Sequence, residues 1–151
     1  MSLRFVLTAF HQQFWESIAD DLRVSCYVRV LRVLRDVKDC LCDLGGGREK
    51  AATEELLDLD FIRGQLENGV FSLEDCKRLF GSVVGIIRRV QAPKRDAEVN
   101  EQWPRLSDAM LLPGGGDQAK AFQSALRFIH ERINLLRVDA ANARYASVCL
   151  G

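Results

Sequence analysis

Asp58 and Asp60 come nearest in this chain to a paired-carboxylate site. Two residues apart on a helix, they point in different directions, so they do not share acid–base work. Cys40 and Cys42 come nearest to a metal-ligand pair. On a helical pattern they fall about 200° apart around the axis and cannot jointly hold an ion. The two histidines, His11 and His130, have no nearby cysteine or carboxylate pattern and no serine elbow to serve. Gly45-Gly46-Gly47 follows a helix and lacks the Gly-Lys-Ser/Thr ending of a phosphate loop. The expectation is therefore no catalytic residue, no metal and no cofactor. One patterned charge remains, the basic line Arg23, Arg29, Arg32 and Arg35. Guanidinium groups in a row suit phosphate, an anionic phospholipid surface or an acidic partner. Asp36, Asp39 and Asp43 lie close by in sequence and are expected to neutralise part of the line, leaving a solvated charged face.

The elements that must carry these residues are helices. Hydrophobic residues make up 48% of 151, enough for one domain with a real core. The three prolines, at 93, 104 and 113, all fall in one region. Apolar residues recur at steps of three and four from Leu3 through Leu7 and Phe10 to Leu22, and over Ser25 to Leu44, Arg48 to Asn68, Leu73 to Gln91 and Asp117 to Val148. Asn68-Gly69 is expected to close the third helix, Ser72 to cap the fourth and Asp117 to cap the last. The segment 93–116 is expected to hold one or two short helices, such as Ala97 to Gln102 and Arg105 to Leu112. The fold class is thus all-α, a single helical bundle of about five main helices over residues 1–151. The helix from Leu73 has the widest apolar arc and is expected to be central; Gly81 and Gly85 on it would admit a close neighbour. Ala140, Ala141, Ala143 and Ala146 would let another helix pack on the thin end of the last segment.

Lys plus Arg equals Asp plus Glu at 21 each, so no long-range field draws in nucleic acid. Five cysteines, Cys26, Cys40, Cys42, Cys76 and Cys149, without a signal peptide read as reduced thiols in the cytoplasm. No run of about 18 apolar residues is present to span a membrane.

Three clusters stand out beyond what helix formation needs. They are Leu57-Asp58-x-Asp60-x-Ile62-x-x-Gln65-x-Glu67-x-Gly69, Ala92-Pro93-x-Arg95-Asp96-x-x-Val99, and Leu136-x-x-Asp139-x-x-Asn142. In their order and spacing they resemble the T-complex protein 11 family of eukaryotes, over roughly residues 12 to 150. The family often has two glutamines where this chain reads Gly64-Gln65. Its members are usually much longer, so the chain is read as part of a longer family module or as a short member. The resemblance implies a helical protein without catalysis, tied to signal transduction through cAMP and protein kinase A, and to sperm function in animals. The implied partner is a protein, such as a kinase-pathway component, with self-association as a further expectation. Asp58, Asp60, Gln65, Glu67, Arg95, Asp96, Asp139 and Asn142 carry the resemblance. They are read either as a structural polar cluster or as a partner-binding surface. In the structural reading, Arg95 and Asp96 tie the loop after the central helix to the face of Asp139 and Asn142, or to Asp58 or Asp60.

Overall fold

The computed structural model describes residues 3–110 and 117–150, with side chains over 12–110 and 117–148. The expectations placed on Leu3, Leu7, Phe10, His11, Cys149 and the loop 111–116 lie outside the described side chains or residues. Every regular element described is helical. Helix α1 spans Leu3–Arg23, α2 Val28–Leu44, α3 Gly47–Leu56, α4 Leu59–Glu67 and α5 Leu73–Val90. A 3-10 turn at Pro93–Arg95 leads into α6, Asp96–Ala109, and α7 runs over Gln118–Leu150. The fold is the expected all-α bundle, with seven α-helices in the described residues.

Three helices share the core. Helix α7 packs on α1, α2, α5 and α6; α2 also meets α3 and α4; α5 also meets α3 and α6. The central place expected for α5 is therefore divided among α2, α5 and α7. Each presents an apolar stripe at helical spacing. Val30, Leu34, Val37 and Leu41 bury from α2, Cys76, Phe80, Val83 and Ile87 from α5, and Phe122, Leu126, Ile129 and Ile133 from α7.

The segment 48–68, expected as one helix, breaks at Leu57, where φ is −100° and ψ 59°. On an unbroken helix Leu57 would lie about 200° from Leu59 and face away from the stripe. The break lets both leucines bury. Asp58 then caps α4, its Oδ1 accepting from Phe61 N at 3.1 Å. Gly69, with φ of +69°, closes α4; Val70 N donates to Gln65 O at 3.0 Å and Gly69 N to Leu66 O at 3.2 Å. Helix α5 opens on a capping box, with Asp75 N donating to Ser72 Oγ and Ser72 N to Asp75 Oδ2, both at 3.0 Å. Asp117 caps α7 as expected, accepting from Lys120 N at 3.3 Å.

Where two short helices were an alternative, one forms. Pro104 sits inside α6 on its exposed side, while Val99, Trp103 and Ser107 bury on the other. The hydrogen bond that proline removes lies on the solvent side, where water replaces it. Gly45 is required by close approach: a Cβ there would meet Leu41 O at 2.7 Å and Glu49 Cβ at 2.9 Å.

Gly81 and Gly85 do not admit a neighbouring helix. A Cβ on Gly81 would meet nothing within 4 Å, and one on Gly85 only the guanidinium of Arg89 at 3.8 Å. Glycine costs a helix interior up to ~1 kcal/mol against alanine. Gly81→Ala should therefore raise stability by about 0.5–1 kcal/mol, read as a higher urea midpoint with unchanged slope. No helix covers the alanine end of α7 among the described residues; positions 141–148 are all exposed. No described helix is long and apolar enough to cross a membrane.

Candidate functional site

The residues that carry the sequence pattern fall in two places. On α4, Asp58 is the cap, Asp60 and Glu67 are exposed, and Gln65 is half-buried. The local fold thus needs Asp58, contrary to the expectation that Asp58, Asp60, Gln65 and Glu67 are all surplus to it. At the other place, Arg95 lies against α7. Its Nε donates to Asp139 Oδ2 at 3.1 Å and its Nη2 to Asp139 Oδ1 at 3.0 Å. Both side chains are 23% exposed. Asp96 turns back to accept from Gln91 Nε2 at 2.7 Å. Among the described residues no hydrogen bond links Arg95 or Asp96 to Asp58 or Asp60. Asn142 is exposed, with no side-chain hydrogen bond among the described residues.

A planar guanidinium meeting a carboxylate through two bonds orients both partners. Here it fixes the 3-10 turn after α5 onto α7. Beside it, Arg132 is only 6% exposed and donates through Nη1 to Glu98 Oε2 at 2.7 Å. Its Nε and Nη2 have no partner among the described residues. Arg95→Ala should lower the melting temperature. Unchanged melting with lost partner capture would assign the pair to recognition instead.

A second polar seam joins α2 to α7, and sequence reading missed it. Asp36 Oδ1 accepts from Arg137 Nη2 at 2.7 Å and its Oδ2 from Arg137 Nη1 at 3.1 Å. His130 Nε2 stands 2.9 Å from Asp36 Oδ2, and its ring packs 5.6 Å from Trp15. The signal was available: His130 and Arg137 are seven apart on one helix face, and Asp36 flanks the buried stripe of Val33, Val37 and Cys40.

Three carboxylates that tie other elements to α7 titrate below their ordinary range, as do the helix caps Asp75 and Asp117. The hydrogen bonds from Arg137, Arg132 and Arg95 lower Asp36, Glu98 and Asp139 respectively, against a smaller desolvation effect on each. A depressed folded-state pKa means the unfolded chain binds protons first as pH falls. The stability these groups contribute is present above the ordinary carboxylate range and lost below it. Urea midpoints should fall as the pH drops below about 4. Asp36→Asn should flatten part of that fall.

The arginine line divides. Arg23 pairs with Asp20 at 2.8 Å and with Asp117, and Arg29 stands 3.5 Å from Asp21. Asp36, expected to neutralise the line, is turned to α7 instead. Among the described residues no carboxylate lies within 4.0 Å of Arg32, Arg35 or Arg63. These three line a groove of about 730 Å³ between the α1–α2 turn, α2 and α4, with Tyr27, Leu31, Leu59 and Glu67. Buried Leu31 and Leu59 give it an apolar floor. Arg63 was not singled out in sequence because only the packing of α4 on α2 brings it to Arg32 and Arg35. Val28, 62% exposed, lines the groove, and Val24, 74% exposed, lies on the adjoining turn.

The family model described as T-complex protein 11 matches residues 6–148. No solved structure matches the chain.

Proposed function

We propose that this chain, which belongs to the T-complex protein 11 family, is a non-enzymatic protein-interaction module that regulates signal transduction in the cytoplasm. By what the family implies, the pathway is that of cAMP and protein kinase A. The observation that supports a docking role is the groove between α2 and α4. It is concave, its floor is apolar, and three guanidinium groups on its walls have no acidic partner within the described fold. Apolar floors with polar rims are the usual anatomy of a protein-binding site.

Cys26 lines this groove. A bulky maleimide adduct on Cys26, in a chain carrying Cys42→Ser and Cys149→Ser, would fill it without altering charge. Capture from native cells, with and without cAMP, would then be compared for the free and blocked chains. Protein kinase A subunits should be retained by the free chain and lost from the blocked one. Equal recovery by both, or recovery by neither, would count against the reading.

Exposed Val24 and Val28 beside the arginines favour one second reading, an anionic phospholipid surface met by this tip. Sedimentation with anionic vesicles at low salt tests it, and absence of binding removes it.

A further inference from the structure

We infer that the segment seated in the α2–α4 groove is an acidic, amphipathic stretch of a partner protein, with carboxylates on both sides of an apolar strip. The inference rests on the docking role proposed for this groove and names what docks.

The charge is local. The whole chain is balanced at 21 and 21, yet the groove has Arg32, Arg35 and Arg63 against the single carboxylate of Glu67. Neighbouring arginines do not share this state, since Arg23 and Arg29 are paired within the fold. Of the three α2 aspartates expected to answer them, Asp36 is held by Arg137 and His130 on α7, and among the described residues neither Asp39 nor Asp43 comes within 4.0 Å of Arg32, Arg35 or Arg63. The positive excess therefore belongs to the groove and is not a property of the whole surface.

The placement of the charge describes its complement. Arg32 and Arg35 stand on the α2 wall, about 4.5 Å apart along the axis, and Arg63 stands on the α4 wall. A ligand that answers both walls has acid groups on two edges. Between them, Leu31, Leu59 and Tyr27 need apolar contact, which a free inorganic anion does not supply. The groove's volume suits a short peptide segment. Its concavity does not suit a bilayer, which is flat on this scale. All three cations are arginine, whose fork matches a carboxylate through two bonds where lysine offers one point charge.

The test uses the intact chain and three labelled synthetic peptides. One has leucines at helical spacing flanked by glutamates; the second has glutamine, and the third lysine, at the flanking positions. The glutamate peptide should bind, weaken as salt rises, and exceed the glutamine peptide by about tenfold or more. The lysine peptide should not bind. Arg32→Glu with Arg63→Glu should reverse the order, releasing the glutamate peptide and capturing the lysine one. Both positions are exposed, so an unchanged circular-dichroism melt keeps folding out of the result.

If the glutamine peptide binds as tightly as the glutamate peptide, and a Cys26 adduct blocks both, the acidic inference is overturned while the docking groove stands. If no peptide responds to the adduct or to the reversals, the groove reading falls with it. Vesicles of phosphatidylcholine and phosphatidylserine form the last arm. Arg32-dependent vesicle binding without peptide binding would overturn the inference in favour of a membrane surface.

Discussion

Phe80→Ala is expected to lower the stability of this protein by about 3–5 kcal/mol. Phe80 is 1% exposed, and its ring stands 5.2 Å from that of Phe122 across the α5–α7 contact. Removing it leaves a cavity lined by two of the three helices that share the core, where side chains from both sides leave little room to collapse. Domains are usually stable by ~5–15 kcal/mol, so the loss would take a large part of the total. In a chain of this length it corresponds to a drop of roughly 10 °C in melting temperature. Chemical denaturation measures it directly. A loss below about 1 kcal/mol would mean that α5 and α7 do not pack through Phe80 and Phe122. Gly81, the next residue, supplies the contrast. Its alanine variant should stabilise, because the added methyl meets open space while the helix gains propensity.

The second large effect falls on binding and spares the fold. Arg32→Glu, Arg35→Glu and Arg63→Glu together should leave the melting temperature nearly unchanged, since all three side chains are exposed and make no ion pair among the described residues. Affinity for the natural partner should fall on the order of a hundredfold, because three attractive contacts become repulsive ones. The same change at Arg23 and Arg29 should act the other way round. Those side chains have partners within the fold, so their loss acts on local packing near the α1–α2 turn more than on binding. Surface plasmon resonance on the two variants, each with a thermal melt, separates the cases. Equal loss of affinity from both sets would make the basic line one diffuse patch instead of a groove.

Helix period was legible in sequence, and so were the ends that depend on local chemistry. Ser72, Asn68-Gly69 and Asp117 stop or start helices through hydrogen bonds to neighbours two to five residues away. What sequence reading missed depends on contacts distant along the chain. The Leu56, Leu59, Ile62, Leu66 spacing suggested one continuous helix, and nothing in that period reveals that Leu57 must also bury. Asp58 was the available clue, an aspartate inside an apparent helix that serves better as a cap. Asp36 looked like a neighbour of the arginines on α2 because only sequence distance was available. Its true partners, His130 and Arg137, lie about a hundred residues away on α7. The Arg95–Asp139 pair was legible as one of several ties. The choice among them required the packing of the 3-10 turn on α7.

These long-range contacts also turned a basic stripe into a site. With Asp36 drawn to α7 and Arg63 brought in by α4, charges that looked solvated and balanced became an unbalanced group around an apolar floor.

Hydrogen–deuterium exchange on the intact chain, saturated with the protein it captures from native cells, tests the docking groove most directly. Protection should appear over residues 25–35 and 59–67, with the rest of the bundle unchanged. Protection confined instead to the exposed end of α7, residues 138–148, with the groove exchanging as freely as before, would contradict it.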